Sequence, residues 1–418
     1  MFQQYSKFVI VVFCFLLFWG TSLSAVEVEN LYQVKVGIED QSSQKRWGAF
    51  VQGFKEIVVR RSGSEDVLSS PEVQKAYSKV SAYVQRFEYE PINDAEAEFP
   101  LNLDLRFEPR LIDQLIQEAG MPIWGSNRPL TMLWLAVEEN FNREVIRESE
   151  EFKPLLESIN EQAKRRGIPI IFPLMDLEDQ LTVTKSDVWG MFTTPIQEAS
   201  VRYASDSIIA GKISQLGENW NARLVYINQG EESRIEFNES SIEGVYSTLI
   251  NQLAEVLCEK YCVVEQLQTD QLVMQVSNVK SFAEVKALQN YLDSLSSIRK
   301  IEVNRVANTH IRFNVSLLGE LASLEEDIRL GQKMIEEDLP NVDPFAIVDN
   351  RANENLLENN ASQLTDVETV ELDLKNGSGV LATTDSSVSK SVNSENLNTD
   401  GVITEQTKPS IIYYRWQG

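Results

Sequence analysis

The fold is decided by three neighbouring runs of sequence, Asp206-Ser-Ile-Ile-Ala-Gly-Lys-Ile-Ser-Gln-Leu216, Trp220-Asn-Ala-Arg-Leu-Val-Tyr-Ile227 and Ser233-Arg-Ile-Glu-Phe237. They are separated by Gly217-Glu-Asn219 and Asn228-Gln-Gly230, and Gly and Asn are residues that tight hairpin turns favour. Alternate residues of the second run are apolar, which is the period of a half-buried strand. The stretch therefore predicts a three-stranded antiparallel meander at the centre of an α/β domain.

The length and charge of the chain limit the number of domains and the classes of partner that it can have. Its 418 residues suffice for about two to four domains. Apolar residues make up 43% of the chain, so packed cores are expected. The formal net charge of -25 argues against binding to nucleic acid or to anionic membranes, because phosphate groups are met by Lys and Arg. Solubility explains such a charge, and a cationic partner is the alternative.

The N-terminus has the three-part form of a secretory signal. Lys7 precedes an apolar run over residues 8–19, and the small-residue stretch 20–25 follows it. The apolar run is too short to span a bilayer comfortably. We therefore expect export to the periplasm with cleavage after Ser24 or Ala25. The alternative is an uncleaved signal, which would be the only membrane contact that the sequence predicts.

The chain contains three cysteines. Cys14 lies inside the apolar run after a phenylalanine, so it is not expected to be a lipid attachment site. Cys258 and Cys262 lie near the end of a helical pattern, and in an oxidising compartment they can form a disulfide. A regular helix holds such residues near the upper limit of disulfide reach, so pairing requires the helix to fray. A local disulfide and two small buried side chains are both open interpretations.

The first segment, residues 26–128, predicts a two-layer α+β unit in the order β-α-α-β-β-α. Residues 31–38 alternate as a strand. An apolar stripe from Ser43 predicts a helix that ends before Gly63, and Ser70-Pro71 starts a second helix that reaches Tyr83. Two strands and a helix are then predicted over residues 84–89, 101–107 and 109–118.

Two further modules follow. Residues 129–262 predict a mixed-sheet unit, β-α-β-α-β-β-β-α. Its predicted elements before the meander are a strand over 131–137, a helix over 148–166, a strand over 168–174, a loop over 176–194 and a short helix end over 198–203. Residues 263–340 predict β-α-β-β-α, and the capping box Ser281-Phe-Ala-Glu284 opens its first helix. The predicted class is therefore α+β and α/β, with three small layered domains.

The composition changes after residue 340. Residues 341–409 are polar and acidic, and they predict a disordered linker because they offer too little apolar area to offset the entropy of ordering. The last segment, residues 410–418, is apolar and aromatic instead. We expect it to pair as an edge strand, on its own fold or on a partner, and an unordered tail is the alternative. The residues of this interaction strand are Ile411, Ile412, Tyr413, Tyr414 and Trp416.

Several of these motifs resemble those of exported Gram-negative proteins in the domain-of-unknown-function family two thousand and sixty-six. The motifs are Leu31-Tyr-Gln-Val-Lys-Val36, Val58-Val-Arg-Arg-Ser-Gly63, Arg202-Tyr203-x-x-Asp206-x-Ile-Ile-Ala-Gly211-Lys-Ile213 and Tyr413-Tyr-Arg-Trp416. The resemblance covers most of residues 31–334 and implies no activity. Residues 129–262 are also similar to the N-terminal α/β domain of the periplasmic translocation protein TolB, and the third module is similar to ring-building modules of secretion machines. These likenesses imply protein–protein contact. The chain lacks the lipid-attachment cysteine of the lipoproteins that share the TolB-like topology, so outer-membrane anchoring is not implied.

Catalytic patterns are scarce. The only histidine, His310, starts an alternating run and suggests neither a nucleophile–base pair with Cys258 nor a multi-histidine zinc site. Asp176 and Asp179 follow the predicted strand 168–174 at its carboxyl end, where parallel sheets gather ligands. They suit glycoside hydrolysis or calcium binding, and the alternative is a solvated loop with a helix N-terminus. Asp206 precedes a strand and is expected to fix a turn.

The sequence therefore favours an exported, non-enzymatic protein that acts by protein–protein contact, with envelope assembly as one such role. We expect no cofactor, no nucleic acid and an unidentified protein partner in the cell envelope. The alternatives are a carboxylate-dependent glycan hydrolase that uses Asp176 or Asp179, and a module that binds calcium or a ligand.

Overall fold

The computed structural model describes residues 28–94, 97–139, 142–264, 271–339, 344–345 and 411–418. The predicted signal over residues 1–25 and almost all of the predicted linker 341–409 lie outside the described residues. The chain divides into two compact units, one formed by Met1–Asp338 with Ile411–Gly418 and the other by Leu339–Ser410. The first unit contains helices and three sheets, two of them mixed, so the α+β and α/β class is confirmed.

The first sheet is antiparallel in the order β1-β3-β2, and a long helix, α1, packs across it. Helix α1 begins after Ser42, whose hydroxyl accepts from the Lys45 amide, and it ends at Gly63, whose φ of 73° closes the last turn. The predicted second helix is shorter than expected, because a non-helical Lys79 breaks the run and the chain continues as 3₁₀ turns over Tyr77–Ala82. The elements are β1 Gln33–Ile38, α1 Ser43–Ser62, α2 Pro71–Ala76, β2 Val84–Pro91, β3 Leu101–Phe107 and α3 Pro109–Glu118.

The second sheet contains the predicted meander, which is confirmed as β7 Ser207–Leu216, β8 Asn219–Asn228 and β9 Glu231–Glu239. Strand β4 pairs parallel with β7 and antiparallel with β5, which gives the order β5-β4-β7-β8-β9. The close approach of β8 explains Gly211, because a Cβ there would lie 2.3 Å from the Arg223 carbonyl oxygen. The remaining elements are β4 Thr131–Glu139, β5 Asn142–Val145, α4 Lys153–Arg166, β6 Ile170–Ile171 and α8 Ile242–Tyr261.

Helices cover both faces of this sheet. Leu133 and Leu224 face α4 and α8, whereas Trp134 and Val225 face a second core beneath three short helices. Two-sided cover explains why the second half of β8 is apolar at consecutive positions, where the sequence predicted alternation. Helices α5 Leu177–Thr182 and α6 Lys185–Gly190 replace the predicted loop 176–194. Helix α7 Thr193–Ser200 lies where the predicted order has a helix before the meander, but it begins and ends earlier than the predicted 198–203.

The predicted strand over residues 168–174 is mostly wrong. Only Ile170–Ile171 pairs with β4, because the flanking Pro169 and Pro173 have no amide N–H to donate to a sheet. Their carbonyl oxygens accept from the amides of Thr131 and Glu148 instead. The segment therefore behaves as a short connection beside β4.

The third sheet has the order β11-β12-β10-β14-β13 and packs on α9 and α10. Its last strand in the chain, β14, lies between β10 and β13, parallel to the first and antiparallel to the second. The sequence predicted that this segment pairs as an edge strand. The segment pairs within its own fold, but the predicted edge position is wrong because β13, which was not predicted, covers its outer side. The elements are β10 Gln271–Ser277, α9 Phe282–Ser294, β11 Ile298–Ala307, β12 His310–Leu317, α10 Leu321–Gly331, β13 Met334–Glu336 and β14 Ile411–Trp416.

The first two sheets are joined through the fully buried side chain of Arg128. All five of its N–H groups have main-chain carbonyl acceptors, and the guanidinium stacks 4.1 Å from the Trp124 ring. Burial lowers the pKa of Arg128 well below its usual value, and the nearby arginine charges lower it further. The acceptors are the carbonyl oxygens of Gly125 at 3.0 Å, Arg166 at 2.7 Å, Gly167 at 3.2 Å, Arg60 at 2.7 Å and Trp124 at 3.4 Å.

Three more arginines lie around Arg128. Arg60 donates to the carbonyl oxygens of Gln33 and Arg165, at 2.8 and 2.9 Å. Arg166 reaches back from α4 to the Gly63 carbonyl at 2.7 Å, and Arg61 donates to both oxygens of Asp113. We call Arg60, Arg61, Arg128 and Arg166 the arginine joint. It ties the C-terminal end of α1 to that of α4.

The cysteine pair lies against the same end of α1. Cys258 and Cys262 form a disulfide with Cα atoms 4.7 Å apart. Cys262 lies just after the end of α8 with extended backbone, and its amide still donates to the Cys258 carbonyl at 2.9 Å. Gly63 packs against both sulfurs, and a Cβ there would lie 2.4 Å from the Cys258 Sγ.

Replacing Arg128 with Lys tests the arginine joint. The ammonium keeps the charge but offers three donors in place of five, so several buried carbonyl oxygens lose their partners. We expect the free energy of unfolding to fall by about 2–4 kcal/mol in urea denaturation followed by circular dichroism.

The matched control is Arg223→Lys on β8, where the side chain is 52% exposed and pairs with Glu236. This change should cost less than about 0.5 kcal/mol. An Arg128→Lys variant as stable as the control would contradict the assigned role.

Candidate functional site

The two carboxylates that the sequence singled out lie at the N-terminal end of α5. Asp176 is the N-cap and accepts from the Asp179 amide at 3.1 Å. Arg202, in the 3₁₀ turn after α7, donates to both oxygens of Asp176, at 2.7 and 3.0 Å. Hydrogen bonding to the guanidinium of Arg202 lowers the pKa of Asp176 to about 2. Asp176 is therefore an ionised partner of an arginine at neutral pH.

Asp179 is buried, and both of its carboxylate oxygens have donors. Arg202 donates to Oδ1 at 3.1 Å, while Oδ2 accepts from the Tyr203 hydroxyl at 2.6 Å and the Met175 amide at 2.8 Å. Burial, followed by the hydrogen bond to Asp179, raises the pKa of Tyr203 to about 12. These contacts hold the 3₁₀ turn against α5. Such a geometry suits a structural tie, since a catalytic base needs an accessible lone pair.

Large apolar side chains are exposed around this tie. Leu177 and Leu181, one helical turn apart on α5, are 74% and 79% exposed. Val201, the neighbour of Arg202, is 76% exposed, and Leu174 is 48% exposed. We call Leu174, Leu177, Leu181 and Val201 the α5 patch. Exposed apolar side chains that gather on a fixed surface are typical of a protein contact site.

The other predicted residues are placed apart from this patch. His310 begins β12 opposite Ala307 in a hairpin of the third sheet, and Cys258 is occupied by its disulfide. Asp206 accepts from the Leu130 amide at 2.8 Å, so it fixes the entry to β7. Across the described ranges, no group of three or more His, Cys, Asp or Glu side chains is arranged to hold a metal ion.

A cleft of about 440 Å³ lies between α1, α4 and α8. Its volume falls within the range of small-molecule sites. Lys55, Arg165 and Arg166 line it together with Glu56 and Glu65, so charges of both signs face the space. Among the helices of the described residues, none is long and apolar enough to cross a membrane.

Sequence reasoning missed the α5 patch because it assigned residues 176–194 to a loop. One signal was present in the sequence. Leu177 and Leu181 are spaced by four positions between polar residues, which puts them on one face of a helix, and the N-cap Asp176 precedes them. The contribution of Val201 depends on the tie through Arg202, and no local pattern predicts that contact.

Replacing Asp176 with Asn removes the charge and keeps a good N-cap. Because the folded pKa is lowered, the charge stabilises the fold above the unfolded pKa of about 3.9, and this stability is lost as the pH falls through about 2. We expect wild type to be more stable than Asp176→Asn at pH 5 and above, with a difference that shrinks between pH 4 and pH 2.

The measurement is urea denaturation of both chains across this pH range. Glu218→Gln, in the exposed turn after β7, reports the effect of removing one negative charge elsewhere. A difference between wild type and Asp176→Asn that stays flat down to pH 2 would count against the lowered pKa.

Comparison with known protein families places a match in the first segment. The family model described as Domain of unknown function (DUF8605) matches residues 25–125, which take in the first sheet and its helices. No curated protein and no solved structure matches the chain. Residues 25–125 are therefore similar to a family of domains whose function is uncharacterised.

Proposed function

We propose that this chain is an exported, non-enzymatic protein of the cell envelope, that it acts by protein–protein contact, and that the α5 patch is its contact surface. The observation that carries the proposal is the exposure of four large apolar side chains around a rigid tie. Burying one such side chain at an interface contributes about 1.5–3 kcal/mol. A partner that covers the whole patch therefore gains several kcal/mol from apolar contact alone.

The same tie supports a contact role over a catalytic one. The carboxylate oxygens of Asp176 and Asp179 accept hydrogen bonds from Arg202, Tyr203 and main-chain amides, so both residues stabilise the position of α5. A partner then meets a surface that is already ordered, which lowers the entropic cost of binding. The glycan hydrolase and the calcium- or ligand-binding module stay predictions, testable by turnover of envelope glycans and by a melting shift with calcium.

The proposed compartment rests on the signal pattern of residues 1–25 and on the cysteine pair, since disulfides persist in oxidising compartments. The resemblance to family two thousand and sixty-six and its Gram-negative export is part of the same proposal. The likeness of residues 129–262 to the N-terminal domain of TolB is supported by a mixed sheet with α4 and α8 on one face. A fold-level likeness of this kind favours protein contact without naming a partner.

The test is a double substitution, Leu177→Glu with Leu181→Glu, in cells that express the full chain. Two carboxylates on one face of α5 oppose apolar contact, so crosslinks from this surface to envelope proteins should be lost. Crosslinking followed by mass spectrometry measures the loss.

The matched control is Leu216→Glu, at the end of β7, where the leucine is 76% exposed, much like the two patch leucines. All variants should unfold within about 0.5 kcal/mol of wild type, because the changed side chains lie in water. The proposal fails if the double variant keeps the crosslinks that the control keeps.

A further inference from the structure

Strand β14 fills a slot between two other strands of the third sheet. On one side Val273–Ser277 pair with Ile411–Arg415 in parallel register, and on the other Met334–Glu336 pair with Trp416–Tyr414 in antiparallel register. Within the described residues, β13 has no other strand partner. Strand β14 therefore completes the sheet on both sides.

Side chains and main chain of the slot both hold β14. Tyr414 and Trp416 are 5% and 3% exposed and belong to the core of the third module, where Trp416 contacts Tyr291. The side-chain amide of Asn278 donates to the Trp416 carbonyl at 2.8 Å, and the main-chain amide of Gln417 donates to the Lys333 carbonyl at 3.0 Å. The slot thus recognises the sequence of β14 through aromatic pockets and through its backbone.

The covalent connection does not decide which copy of the chain supplies the strand. Phe345, the last described residue before β14, is buried, so residues 346–410 form the connection, and about 65 residues can span up to roughly 230 Å when extended. A short hairpin would force β14 into the slot of its own chain, as the turn at Asn308 does for β11 and β12. Because the connection is this long, β14 can reach either its own slot or the slot of another copy, and it makes the same contacts in both.

We propose that the slot between β10 and β13 also accepts β14 from a second copy of this chain, so that copies associate by exchanging this strand. The occupant is a second copy because the slot is built for this sequence and the connection is long enough to reach another molecule. Exchange needs no new contact surface, since every hydrogen bond and every buried aromatic side chain is reproduced between molecules. The inference concerns a surface other than the α5 patch and is independent of it.

The register supplies a direct test. Ser277 on β10 pairs with Arg415 on β14, and paired positions on adjacent strands lie at disulfide distance. Two full-length chains with different tags are expressed in the same cell, one with Ser277→Cys and the other with Arg415→Cys, both with Cys14→Ser. Mild oxidation should yield a heterodimer whose linked peptide joins positions 277 and 415.

Two controls accompany this pair. A single chain with both Ser277→Cys and Arg415→Cys should close within itself, which reports that β14 folds into its slot. Lys300→Cys replaces Ser277→Cys in the matched control, because Lys300 lies on β11 at the opposite edge of the sheet, with a 65% exposed side chain. The register pair should give about tenfold more heterodimer than this control, since only matched strands hold the thiols at bonding distance.

The decisive outcome is the heterodimer linked at positions 277 and 415. Its absence, together with closure of the double variant within one chain, would overturn the proposal and restrict β14 to its own molecule. Adding Trp416→Ala to the Arg415→Cys chain should reduce the heterodimer at least about fivefold, because the strand loses a buried aromatic anchor. A yield unaffected by this change would also overturn the proposal.

Discussion

The buried guanidinium of Arg128 lies at the centre of the arginine joint between the first two sheets, and carbonyl oxygens rather than a carboxylate surround it. Three of the acceptors, the carbonyl oxygens of Arg60, Arg166 and Gly167, lie at the C-terminal ends of α1 and α4, where helix dipoles concentrate negative potential. Two such ends would repel each other if they met directly. Arg128, with Arg60 and Arg166 around it, places positive charge between them and satisfies carbonyls that have no partner within their own helices.

At α5, too, the charged side chains are engaged by partners within the fold. The carboxylates that looked most suited to chemistry are engaged by Arg202 and Tyr203, and the outward-facing side chains nearby are leucine and valine. The charged groups stabilise the loop from within, while the apolar groups remain available to a partner. This division of roles explains why the proposed function concerns a surface.

Local chemistry predicted much of the fold. Gly217 and Gly230 mark the turns of the meander, and Ser42 and Gly63 mark the two ends of α1, because each of these features is encoded within a few residues. Helices α5 and α6 were missed because helices of six residues depend on tertiary contacts such as the Arg202 tie. The inner position of β14 was missed since its partners are distant in the chain.

The candidate site shows the same limit. Asp176 and Asp179 were found from their place after a predicted strand, but their engagement by Arg202 depends on a contact across 23 to 26 positions. Arg128 drew no attention because nothing in its neighbourhood distinguishes a buried arginine from a solvated one. Its role depends on where the ends of α1 and α4 meet, and that is a property of the folded chain.

The position of Arg128 also bears on how the chain can be divided. The family match ends at residue 125, so a fragment cut there loses the Arg128 donor of the Arg60 carbonyl, while Arg61 still donates to the Trp124 carbonyl. Water would have to solvate the Arg60 carbonyl at the cut face. A chain that combines this domain with a different neighbour therefore needs either water or a new donor at this carbonyl.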